Sequence, residues 1–122
     1  MIDHIEVLVS NPEHSTAFYQ QTLAPLGYEL HVSGPVLGFG SAPDRLDFWL
    51  RGGTPAIPAP HFAFGCATRA EVIEAHRAGL GAGGTDIGAP AVLTRIHPHY
   101  FAGFVCDPDG HNVEFVCHSP AG

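Results

Sequence analysis

Residues 3–9 read Asp3-His4-Ile5-Glu6-Val7-Leu8-Val9, and 57 positions on, from His4 to His61, the chain reads Pro60-His61-Phe62-Ala63-Phe64-Gly65-Cys66. Each copy is followed by a helix-like stretch and a glycine-bearing stop, Leu26-Gly27-Tyr28 in the first and Ala82-Gly83-Gly84 in the second. An internal repeat sets the architecture before any motif does. A pseudo-twofold arrangement brings equivalent strands together, so two histidines far apart in sequence can face one cavity.

In the first copy Ile5, Val7 and Val9 share one strand face, while His4, Glu6 and Leu8 share the other. Asn11-Pro12-Glu13 predicts a helix start, with Asn11 as N-cap and Pro12 at the first helical position. That helix turns Phe18 and Leu23 inward, and strand-like runs follow at 28–32, 36–40 and 46–51. The second copy puts Phe62, Phe64 and Cys66 on the apolar face and His61, Ala63 and Gly65 on the other. Thr68-Arg69-Ala70-Glu71 then fits a capping box. A loop over 88–98 precedes strands near 100–106 and 112–118, and Asp107-Pro108-Asp109-Gly110 between them is a hairpin turn. The fold class is α+β: two tandem βαβββ modules, about 1–52 and about 61–118, joined by the proline-rich linker 53–60 in a single domain, 1–122. They form a curved mixed sheet with both helices on its convex side and a concave metal or ligand cavity.

Composition narrows the function. All five basic residues are arginine, so no lysine exists for a Schiff base or a phosphate loop, and the net charge of −7 disfavours nucleic acid and anionic membranes as partners. Charged residues make up only 14% of the chain, which leaves apolar surface and predicts a homodimer. Cys66, Cys106 and Cys117 are odd in number and lie in apolar runs, as in a reduced cytoplasmic protein. Neither a leader nor an apolar run of membrane-spanning length is seen.

Asn112-Val113-Glu114-Phe115-Val116-Cys117 alternates again, and Glu114 is a carboxylate set in an otherwise apolar strand. Such a group is paired or bound to a metal when half-buried. His4, His61 and Glu114 all fall on the faces opposite the helices. Two imidazoles and a carboxylate suit a divalent metal (Fe2+, Mn2+, Zn2+ or Ni2+) with positions left open for substrate. His14, His31, His76, His111 and His118 are read as surface residues, and His97-Pro98-His99 as an exposed loop.

The repeated plan and the Asp107-Pro108-Asp109-Gly110-x-x-x-Glu114 ending resemble the vicinal oxygen chelate superfamily, which includes glyoxalase I, bleomycin and fosfomycin resistance proteins and extradiol dioxygenases. The resemblance spans nearly the whole chain. It implies metal ligands at His4, at a residue within 46–51, at His61 and at Glu114. Setting Pro43-Asp44 against Pro108-Asp109 gives an offset of 65 and places Trp49 opposite Glu114. Either Asp47 substitutes, or the fourth ligand is absent and Trp49 walls the pocket; the second is preferred. The His-His-Glu set that remains resembles the dioxygenase triad, although Phe104 stands where those enzymes carry a tyrosine. Glu114, Tyr100 and His97 are the candidate catalytic groups, acting by proton transfer. The implied function is that of a metal-dependent lyase, isomerase or dioxygenase on a small oxygen-chelating substrate. The alternative is a metal-free, bleomycin-resistance-type protein that sequesters a drug-like molecule.

Overall fold

The computed structural model describes residues 1–120. Strand β1 (Ile5–Val9) leads into helix α1 (Pro12–Leu23), then β2 (Glu29–Val32), β3 (Val36–Ala42) and β4 (Arg45–Gly52). The second module repeats the order with β5 (His61–Gly65), α2 (Arg69–Gly81), β6 (Thr85–Val92), β7 (Phe101–Cys106) and β8 (Asn112–Cys117). Each module closes its own four-stranded mixed sheet, ordered β1-β4-β3-β2 and β5-β8-β7-β6. The outer strands β1 and β5 run parallel to β4 and β8, respectively; the other pairings are antiparallel.

The helix starts follow from their caps. The Asn11 side chain accepts from the His14 amide at 3.1 Å, and Thr68 Oγ1 accepts from the Glu71 amide at 3.1 Å. Glu71 reaches back one residue further than a capping box requires, to the Ala67 amide at 3.2 Å. The strand phases are as the alternation predicts: Val7 and Val9 are buried, while Glu6 and Leu8 are exposed. One element differs. Residues 85–92 form strand β6, so the loop before β7 is shorter than the predicted 88–98. Its proline and glycines hid it. Pro90 is tolerated because β6 is an outer edge, and the register slips at Gly88 absorb the irregularity.

The register confirms the offsets between the modules. Ile5 pairs with Phe48 and Phe62 with Val113; Glu6 pairs with Trp49 and Ala63 with Glu114. Trp49 therefore occupies the position in the first module that Glu114 occupies in the second. Aromatic packing joins the halves, with Phe48 5.1 Å from Phe64 and 4.9 Å from Tyr19 between ring centroids.

The Asp107–Gly110 turn is a polar joint between the modules. Asp107, 5% exposed, accepts from the Tyr19 hydroxyl of α1, from His111 Nδ1 at 2.7 Å, and from the amides of His111 and Asp109 at 2.8 and 3.0 Å. Asp109 takes both the amide and the hydroxyl of Ser10, just beyond β1. Gly110 has φ +85, which a side chain would strain. His111 and His76, expected at the surface, are 1% and 7% exposed, each bonded to an aspartate (Asp107 and Asp86). Tyr19→Phe removes one donor from a buried carboxylate. It should lower unfolding free energy by about 1–3 kcal/mol in urea titration, and a change within error of zero would contradict the joint.

Candidate active site

Glu114 lies in the middle of β8 and is 4% exposed. Its Oε1 meets His61 Nε2 at 3.0 Å, and its Oε2 accepts from the Tyr100 hydroxyl. His61 opens β5, and its Nδ1 lies 2.9 Å from the Asn112 carbonyl oxygen. A carbonyl only accepts, so Nδ1 carries a proton. Nε2 is the ring atom that faces the carboxylate. The pair is fixed on one side by backbone and on the other by tyrosine. The Phe104 ring lies 6.4 Å from that of His61 at an interplanar angle of 31°, covering it.

The structure brings together His61, Glu114 and Tyr100. It does not bring His4 to them: that ring precedes β1, is largely exposed, and pairs with Asp3 at 2.7 Å. His97 stands in the loop before β7, its Nδ1 accepting from the His99 amide at 3.2 Å, with its ring 5.8 Å from that of His118. It makes no bond to Glu114. Asp47 is bonded by the Tyr28 hydroxyl at 2.7 Å, and Trp49 donates to the Leu46 carbonyl at 3.3 Å. The Tyr28–Asp47 pair escaped the sequence reading, because nothing local links positions on β4 and before β2. Beside His61 opens a cavity of about 480 Å3 walled by Tyr28, Asp47, Phe48, Phe62 and Phe64.

A divalent metal finds donors of the right kind here. An imidazole whose Nδ1–H is anchored on a carbonyl presents Nε2 as a ligating histidine does, next to a carboxylate oxygen. The count is short. Among the described residues no three His, Cys, Asp or Glu side chains gather to hold an ion. One chain offers two donors and no complete metal centre.

The sequence profile of the Glyoxalase/Bleomycin resistance protein/Dioxygenase superfamily matches residues 1–115. The chain belongs to this superfamily, the vicinal oxygen chelate class that its fold and its final strand resemble. Solved structures agree in fold. A glyoxalase/bleomycin resistance protein from Albidiferax ferrireducens is similar, with TM-score 0.81 and 22% identity over 94% of this chain and 97% of that one. A family enzyme from Burkholderia phytofirmans matches with TM-score 0.72 and 16% identity over 97% and 98%. A glyoxalase I mutant from Zea mays matches with TM-score 0.69 and 22% identity, over 94% of this chain and 46% of that one. No curated protein sequence matches the chain.

Tyrosine titration probes the site. Burial, then the hydrogen bond and charge of Glu114, push the Tyr100 hydroxyl up to about 12. Burial and Asp107 raise Tyr19, and burial and Asp47 raise Tyr28. These are the chain's only three tyrosines. With folded values above the unfolded one, the stability they contribute is complete below pH 10 and is lost as pH rises through the raised values. Absorbance near 295 nm should show no tyrosinate at the ordinary value near 10. A full tyrosine equivalent titrating there in folded protein would contradict the assignment.

Proposed function

We propose that the protein is a metal-dependent lyase, isomerase or dioxygenase acting on a small oxygen-chelating molecule, with His61 and Glu114 as metal donors. The observation that supports this most is the buried carboxylate shared between the His61 ring and the Tyr100 hydroxyl. A bound divalent ion (Fe2+, Mn2+, Zn2+ or Ni2+) would supply Lewis acidity toward the substrate's oxygens. Tyr100 stays protonated at neutral pH and keeps Glu114 oriented; Glu114 and Tyr100 hold and hand on protons at the reacting face. The exposed His118 ring packs edge-on against Tyr100, with His97 beyond it, where they could pass protons.

The third donor in this reading is His4 of a second copy. His4 and His61 are equivalent by the 57-residue offset that relates β1 to β5, and both are exposed, as is Leu8 at 38%. The protein then works as a homodimer, with small molecules as its partners. Three free cysteines fit the reducing cytoplasm, and no helix among the described residues is long and apolar enough to cross a membrane. The second reading, metal-free binding of a drug-like molecule, is favoured by the two-donor count and the aromatic cavity.

Metal titration of chelator-treated protein separates the two readings. Wild type should take up a divalent ion. Glu114→Ala should lose it while keeping its circular dichroism, Tyr100→Phe should weaken it about 10–100-fold, and His99→Ala should keep it. Full occupancy in Glu114→Ala, or none in reconstituted wild type, leaves the metal-free reading standing.

Assembly has its own test. Sedimentation equilibrium should give twice the 12.9 kDa chain mass. His4→Ala and Glu114→Ala proteins, each deficient alone, should regain at most half the sites when mixed and refolded together. A monomer, or mixing without recovery, removes the shared site.

A further inference from the structure

The cavity beside His61 has a lining that selects for charge. Its walls are aromatic: Tyr28, Phe48, Phe62 and Phe64. Its carboxylates are the exposed Asp3 and Asp47; His61 is its one imidazole, and neither Arg nor Lys lines it. The adjoining hollow adds Asp44 against a single arginine, Arg45. Asp47 is held in place by the Tyr28 hydroxyl at 2.7 Å, which occupies one oxygen and leaves the other to accept. Asp3 is paired with His4, so Asp47 is the main anchor. The burial that raises Tyr28 keeps its hydroxyl a donor.

Aromatic faces attract cations through their quadrupole, and a carboxylate at the rim adds a charge partner. An anion would meet two carboxylates on a chain of net charge −7. We propose that this cavity binds a small aromatic or apolar molecule carrying a protonated or quaternary amine, its ring among Phe48, Phe62 and Phe64 and its cation against Asp47. The inference goes beyond the proposed metal chemistry and shares only His61 with it, so each can fail without the other.

Three probes that share a phenylethyl group test it: 2-phenylethylamine, 2-phenylethanol and 3-phenylpropionate, cationic, neutral and anionic at pH 7. Binding is followed by amide chemical shifts at Tyr28, Asp47, Ala63 and Gly65. The amine should bind about fivefold more tightly than the alcohol, the range of one exposed cation–π or ion-pair contact, and the acid should be weakest. Asp47→Asn preserves an acceptor for Tyr28. It should bring the amine down to the alcohol's affinity while leaving the alcohol unchanged. The inference is overturned if the acid binds as tightly as the amine. It is equally overturned if Asp47→Asn leaves the amine's affinity intact, or if millimolar amine moves none of these amides.

Discussion

At Asp107 a carboxylate is withdrawn from water, at a cost of several kcal/mol, and four donors from two modules offset that loss. The donors are not interchangeable. One is the Asp109 amide of the turn itself; two come from His111, its amide and its ring; the fourth, Tyr19, belongs to the helix of the other module. The same turn offers Asp109 to Ser10 at the end of β1. The β7–β8 turn therefore cannot relax without loosening both α1 and β1. Asn112, whose carbonyl orients His61, follows His111 directly. The geometry of the candidate site thus hangs on a joint between modules that lies on the other side of the strand.

Asp107 and Glu114 are the two buried carboxylates among the described residues, and their surroundings assign them different work. Asp107 is saturated by partners that are themselves buried, which suits permanent structure. Glu114 has two partners, and one of them is the half-exposed ring of His61. The His61 ring meets solvent and the cavity, whereas Tyr19, His111 and Asp107 are closed off from both. Burial alone does not mark a reacting group; burial with one open partner does.

Much of this was legible in the sequence because the signals were local. Alternation in β1, β5 and β8 gave the strand phases, and Asn11-Pro12 and Thr68 gave the helix starts. The offsets of 57 and 65 gave the register, so Trp49 could be set opposite Glu114 before any coordinates existed. What stayed hidden depended on distant pairing. His76 and His111 look like surface histidines until Asp86 and Asp107 are seen beside them. Strand β6 carries a proline that only an outer edge tolerates, and edges are not visible in a single strand's residues. His4 matches His61 by sequence offset, yet it precedes a strand of the other sheet, and equivalence of position does not bring two sheets' faces together.

The register also explains how two copies of one plan came to differ. Trp49 pairs with Gly38, and Glu114, its counterpart, pairs with Phe104. A Cβ at Gly38 would stand 2.8 Å from the Trp49 ring, so the indole lies flat where its neighbour has no side chain. In the second module the large ring has moved one strand over. Phe104 lies against Gly88, where a Cβ would come within 2.7 Å of it. Each sheet sets an aromatic ring here against a glycine on the neighbouring strand, which makes room for it. The strand that gives up the aromatic in the second module is the one that gains the carboxylate. A single Trp49→Glu change would leave an open space over Gly38 and no ring to cover the imidazole, so it would not recreate the site. The carboxylate, the Phe104 cover and the glycine beneath it form one packing solution, and only the second module has adopted it.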